Sequence, residues 1–130
     1  MKEFRNEQDL KRTSHEKTEF EVQSNMLVIH VNGELDHHNS VFIREKADEI
    51  ICQNRIMNIL FDFDKTEFMD SSGIGVIMGR YKKVSGFGGV VGVINVRKNV
   101  EKILLYSGLN KIIRHYDSIK NAEMDMNGGK

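Results

Sequence analysis

The chain has 130 residues, 39% hydrophobic and 29% charged, with 19 Lys and Arg balanced by 19 Asp and Glu. That suits one ordinary globular domain, and the zero net charge gives no global field to recruit nucleic acid or an acidic membrane. The lone cysteine, Cys52, excludes an intrachain disulfide, and the absence of a ~18-residue apolar run or a signal-peptide core makes a cytoplasmic protein the expectation.

Residues 1–17 are almost wholly polar, with Phe4 and Leu10 as the only sizeable apolar side chains after Met1. They are expected to form a flexible extension, followed by a folded domain over 18–117 and a short C-terminal helix or tail over 118–130. Residues 18–24 and 26–32 read as strands joined by a turn at Ser24-Asn25, hence a hairpin. Residues 39–54 read as a helix capped by Asn39 or Ser40, with Ile43, Ala47, Ile50 and Ile51 inward. A third strand is expected over 56–63, a glycine-bearing helix to about residue 85, and a fourth strand over 90–95. A helix over 99–107 follows, with Gly108 ending it and Leu109 folding back, and then a last strand over 112–116. Strand–helix alternation demands crossovers, so the fold class is α/β, with a mixed sheet of about five strands and helices mainly on one face. In the tail, Ile119, Ala122 and Met126 lie at helical spacing before Asn127-Gly128-Gly129 dissolves it.

The most informative stretch is Phe68-Met69-Asp70-Ser71-Ser72-Gly73-Ile74-Gly75-Val76-Ile77-Met78-Gly79-Arg80-Tyr81-Lys82-Lys83. Asp and Ser before an apolar-periodic run are helix-capping residues. The spacing predicts a buried stripe of Ile74, Ile77, Met78 and Tyr81. The opposite side then carries Gly75, Val76, Gly79, Arg80, Lys82 and Lys83. Each glycine inside a helix costs about 1 kcal/mol relative to alanine. A flat helix face beside a serine hydroxyl is a surface that a second protein could approach closely, and it reads as a docking and modification site.

Enzymatic readings are weaker. Asp62-Phe63-Asp64-Lys65-Thr66 after an apolar strand resembles the nucleophile motif of haloacid-dehalogenase-type phosphotransferases, in which the first carboxylate attacks phosphorus and the second is the acid/base. That chemistry needs a distal acidic pair, which Glu101, Asp117, Glu123 and Asp125 do not supply; the alternative is a turn of surface acids. Gly73-x-Gly75 and Gly86-x-Gly88-Gly89 complete no phosphate cradle, and Ser71-Ser72-Gly73 lacks the leading glycine of a nucleophile elbow. His37-His38 are adjacent and read as solvated loop residues, so no metal or cofactor is expected. Arg80, Lys82 and Lys83 read as a solvated basic face.

Gly33-Glu34-Leu35-Asp36-His37-His38, taken with the 68–82 stretch and Tyr106-Ser107-Gly108-Leu109-Asn110-Lys111-Ile112-Ile113-Arg114, resembles the STAS domain of anti-sigma factor antagonists, most closely the sporulation branch. The resemblance covers roughly residues 18–118. It implies a STAS fold and a regulator that is not an enzyme. Unphosphorylated, such a protein binds an anti-sigma factor that is itself an ATP-dependent serine kinase, and so frees the sporulation sigma factor. The kinase phosphorylates Ser71, and a metal-dependent serine phosphatase reverses this. Ser71 rather than Ser72 is chosen by the resemblance alone. The surface expected to meet the partner comprises Glu34, Asp36, His37, His38, Asp70, Ser72, Gly73, Gly75, Val76 and Gly79. For Asp36 an Asx turn or early cap competes with a carboxylate presented to a basic residue of the kinase. The alternatives are a general-stress-type antagonist or a stand-alone STAS subunit of a transporter. A monomer is expected, because no long apolar edge or heptad is visible.

Overall fold

Five strands pair in the order β1-β2-β3-β4-β5 in a computed structural model, which describes residues 18–128. β1 (Glu19–Gln23) and β2 (Met26–Asn32) form the antiparallel hairpin, with Ser24 at φ 56 in its turn. β3 (Asn58–Lys65), β4 (Val91–Ile94) and β5 (Arg114–His115) add in parallel. Parallel neighbours need crossovers, supplied by α1 (His37–Asn54), α2 (Ser71–Ser85) and α3 (Lys98–Tyr106). The expected extension over 1–17 lies outside the described residues.

Strand alternation divides the core between the two faces of the sheet. Leu27, Ile29 and Val31 of β2, with Ile59, Phe61 and Phe63 of β3, join Ile43, Ala47, Ile77, Val100 and Leu104 of the three crossover helices. Burying each of the larger side chains contributes about 1.5–3 kcal/mol. Met26, Val28, Leu60 and Ile94 face the other way and are covered by Ala122 and Met126 of α4 (Ile119–Gly128). The C-terminal segment is therefore a packed helix. Ser118 Oγ accepts the Asn121 N–H at 3.0 Å at its start, and Arg114 Nη1 donates to Asp125 Oδ2 at 2.9 Å.

Two glycines show why the chain turns where it does. A Cβ on Gly89 would sit 1.8 Å from the Met57 carbonyl oxygen, so only glycine lets the chain enter β4 beside residue 57. Gly108, at φ 82, ends the turn after α3 as expected, and Leu109 behind it is fully buried. One helix start differs from the sequence reading. α1 begins at His37, not Asn39, because Asp36 takes the capping position and its Oδ1 accepts the Asn39 N–H at 3.0 Å. Asn39 is instead buried inside the first turn and donates from Nδ2 to the Glu34 carbonyl at 2.9 Å. His37 and His38 consequently stand on the first helical turn, not in a loop.

Candidate functional site

Because β2 and β3 are parallel neighbours, the loops that follow them leave the same edge of the sheet. They are also stitched together. Leu35 and Met69 form an isolated parallel bridge, in which the Leu35 N–H donates to the Phe68 carbonyl at 2.9 Å and the Asp70 N–H to the Leu35 carbonyl at 3.3 Å. Beneath the bridge, the buried Thr66 hydroxyl donates to the Val31 carbonyl at 3.0 Å, and the Gly33 N–H donates to the Lys65 carbonyl at 3.1 Å. The Glu34–His38 segment and Ser71 are thus neighbours, as the strand order requires. Asp70 caps α2 as Asp36 caps α1, its Oδ1 accepting the Ser72 N–H at 2.8 Å.

On this edge Glu34, His37, His38, Ser71 and Gly75 are exposed, while Asp36, Asp70, Ser72 and Gly79 are half-buried. Two residues expected to be accessible on the docking surface are buried. Val76 is 3% exposed and Gly73 is buried, and a Cβ on Gly73 would come within 2.5 Å of Met69 Cγ and 2.9 Å of Leu35 Cγ. Gly73 therefore serves the packing of the bridge. The buried side of α2 is Gly73, Val76, Ile77, Arg80 and Val84, rotated from the expected stripe. Ile77 is buried as expected, but Ile74, Met78 and Tyr81 pack only from the flanks of the core. On that buried side Arg80 meets Asp48 of α1, with Nε 3.0 Å from Oδ1. By contrast, a Cβ on Gly75 or Gly79 would meet nothing within 4 Å. These two glycines leave open space where a side chain could stand.

Sequence reasoning missed three contributors. Phe68, 47% exposed, stands on the loop immediately before the α2 cap. Ser40 and Arg44 share a face of α1 at helical spacing and line a cavity with Ser72 and Gly75. Placing the helix start at His37 would have exposed that spacing.

Asp62, weighed as a nucleophile, has both carboxylate oxygens engaged on the opposite face of the sheet. Oδ2 lies 2.7 Å from His30 Nδ1, and Oδ1 accepts from Asn95 Nδ2 at 2.9 Å and from the Asp64 N–H at 3.0 Å. His30 Nε2 in turn lies 3.0 Å from Glu21 Oε1. Burial acts against the charged imidazole, but the bonds to Glu21 and Asp62 outweigh it and raise the His30 pKa. Burial would likewise raise the Asp62 pKa, yet its bonds from Asn95 and His30 hold it below the ordinary range. The arrangement is a polar ladder across β1, β2 and β3. Among the described residues, no group of three or more His, Cys, Asp or Glu side chains could hold a metal ion, and no helix is long and apolar enough to cross a membrane.

The STAS domain family matches residues 17–122. Over 104 residues the chain is 41% identical to an anti-sigma F factor antagonist of Paenibacillus polymyxa, covering 80% of this chain and 89% of that one. Its fold is similar to that of the anti-sigma factor antagonist SpoIIAA in its unphosphorylated form, with a TM-score of 0.69 and 28% identity, over 87% of this chain and 99% of the other. The Bacillus cell fate determinant SpoIIAA in its phosphorylated form gives a TM-score of 0.66 and 31% identity, over 83% and 96% of the two chains.

Proposed function

The chain belongs to the STAS domain family, and from that premise we propose that it is an anti-sigma factor antagonist controlled by phosphorylation of Ser71. Unphosphorylated, it docks on an anti-sigma factor that is also a serine kinase, and so releases a sporulation sigma factor. One observation carries the reading: Ser71 is exposed at the start of α2, one turn from Gly75, where nothing projects. In the modifying step Ser71 Oγ attacks the γ-phosphorus of ATP on the kinase. The O–P bond forms as the bond to ADP breaks, and the hydroxyl proton passes to a base on the kinase. A metal-dependent phosphatase later hydrolyses the ester and restores the docking form.

The fold tolerates the new group. A phosphoryl at a helix start faces the positive end of the helix dipole, so the domain stays folded. It adds about −1.5 to −2 charge beside Asp70 and brings hydrated bulk to the approach over Gly75. Docking is lost through repulsion and desolvation, not unfolding. The SpoIIAA structures, one unphosphorylated and one phosphorylated, support a fold that accommodates both states.

The test is incubation of the purified chain with the anti-sigma kinase of its own organism and ATP, followed by mass spectrometry. One phosphoryl on Ser71 is expected, and Ser71→Ala is expected to bind the kinase while accepting none. Phosphate mapped to Ser72 or His38, or undiminished kinase binding by the Ser71-phosphorylated chain, sinks the reading.

A further inference from the structure

Where α1 and α2 begin, the groove between them opens into a cavity of about 240 Å³ lined by His37, Ser40, Val41 and Arg44 of α1 and Ser72, Gly75 and Val76 of α2. No acidic residue lines it. Asp36 and Asp70 accept backbone N–H groups at the two helix starts, and Asp48 lies against Arg80. His37 and Arg44 have no anionic partner among the described residues, and Arg44 lies close enough to Arg80 for the two cations to repel. The Ser40 side chain is a further sign of an unfinished site. Ser40 is only 4% exposed, and its hydroxyl is closed off without a hydrogen-bond partner. A buried hydroxyl left in that state costs free energy that a ligand atom can recover.

We propose that this notch receives a carboxylate side chain, Asp or Glu, from the docked anti-sigma factor. The inference rests on the docking reading and adds the chemistry of the partner's contact. Arg44 offers a planar fork of N–H donors that matches a carboxylate, and His37 adds donors on the same side. Ser72 lines the wall, the Ser40 hydroxyl needs only to turn toward the cavity to bond a ligand, and both helices begin beside it. Gly75 keeps the mouth open, since a side chain there would stand in the entry. Arg44 and the absence of an acidic lining residue select an acid, whose methylene groups can lie against Val41 and Val76. A phosphoryl group on Ser71, next to Ser72, competes for Arg44, so modification weakens the partner's hold on the notch as well as crowding the surface.

Two measurements decide it. The uniformly ¹⁵N-labelled chain is titrated with sodium acetate and, at equal ionic strength, with sodium chloride and sodium sulfate. Saturable amide shifts confined to Ser40, Arg44, Ser72, Gly75 and their neighbours are expected with acetate, and they disappear in Arg44→Glu and Arg44→Gln. Shifts that are uniform, that fail to saturate, that persist in both variants, or that saturate with sulfate but not acetate overturn the assignment. In the second measurement, Arg44→Glu binds the anti-sigma factor at least roughly tenfold more weakly than wild type. Equal binding by Arg44→Glu overturns the notch and leaves the docking reading standing. Failure of the unmodified wild-type chain to bind overturns both.

Discussion

Arg80 and Asp48 meet across the α1–α2 contact, Nε to Oδ1 at 3.0 Å, with the arginine side chain 5% exposed and the aspartate 32% exposed. The approach is close but poorly aligned: neither Nε nor Nη1 of Arg80 makes a hydrogen bond. Burial pulls the guanidinium pKa down, Asp48 opposes that, and Arg44 adds to the lowering. A buried cation held by one imperfect partner contributes little net stability, yet losing that partner is costly. Asp48→Ala is therefore expected to lower the unfolding free energy by about 2 kcal/mol, below the usual cost of breaking a buried pair because Asp48 is partly solvated. Arg80→Met should cost under ~1 kcal/mol or stabilise, since an apolar side chain of similar reach needs no partner. Urea denaturation of both variants checks this. The opposite ranking would mean that the ion pair holds the helices together.

The glycines of α2 separate stability from docking. Gly75→Ala and Gly79→Ala place a methyl in open space and remove helix-destabilising glycines, so each should raise stability by up to about 1 kcal/mol. Gly75→Ala should at the same time weaken binding of the anti-sigma factor, because the methyl stands on the approach. Gly73→Ala forces its methyl against Met69 and Leu35 and should destabilise by about 1–3 kcal/mol. Thermal melts paired with a binding assay distinguish the three; a Gly75→Ala chain that binds as well as wild type removes residue 75 from the docking surface.

Asp36 has one carboxylate oxygen in the α1 cap, as the early-cap reading expects, and its charge is the point to be tested. Asp36→Asn keeps a capping oxygen and should alter stability by only a few tenths of a kcal/mol, whereas Asp36→Ala should cost about 1 kcal/mol. Loss of kinase affinity in the folded Asp36→Asn chain would assign the charge to the interface. Unchanged affinity would leave Asp36 a cap and nothing more.

The Glu21–His30–Asp62 ladder makes stability depend on pH in two directions. The His30 pKa is raised, so its contribution is complete below the ordinary imidazole value of about 6.5 and is lost as pH rises through the raised value. Glu21, through its bonds from His30 and Gln23, and Asp62, through bonds that outweigh its burial, are depressed. Their contributions are complete above the ordinary carboxylate range of about 4 and are lost as pH falls through the lowered values. The ladder is strongest between those limits. Unfolding free energies taken from pH 6 to pH 9 should decline in wild type and decline less in His30→Gln. Parallel curves would show that His30 does not titrate differently in the folded state.

The strands and the main core were legible because β2 and β3 are continuous apolar runs, and the crossovers followed from alternation. The α2 phase was not. Helical periodicity assumes that charge faces water, and Arg80 is buried by Asp48, 32 residues earlier in the chain, a relationship that no local pattern carries. The same blindness put Val76 on the surface, since only the tertiary packing of α2 brings it into the main core. The α1 start was misplaced because Asp36, Asn39 and Ser40 are all good caps by residue type, and the Glu34 carbonyl that captures the Asn39 side chain becomes available only when the loop folds. That the Glu34–His38 loop and Ser71 share one edge was legible from the strand order, whereas the cavity-lining Ser40 and Arg44 required the true helix start.

The Leu35–Met69 bridge has a consequence for how tightly the domain can bind. Two loops that emerge separately from a sheet would each have to be immobilised when a partner arrives, at about 1–2 kcal/mol of backbone entropy per residue fixed. Here both are already held to each other by the Leu35 and Asp70 N–H groups, and both run directly into capped helices. Most of that ordering is completed when the domain folds. On the docking reading proposed above, the edge would reach its partner preorganised, so that even a small contact area could support firm binding, and the amides of Leu35 and Asp70 should exchange with solvent together, as parts of one piece.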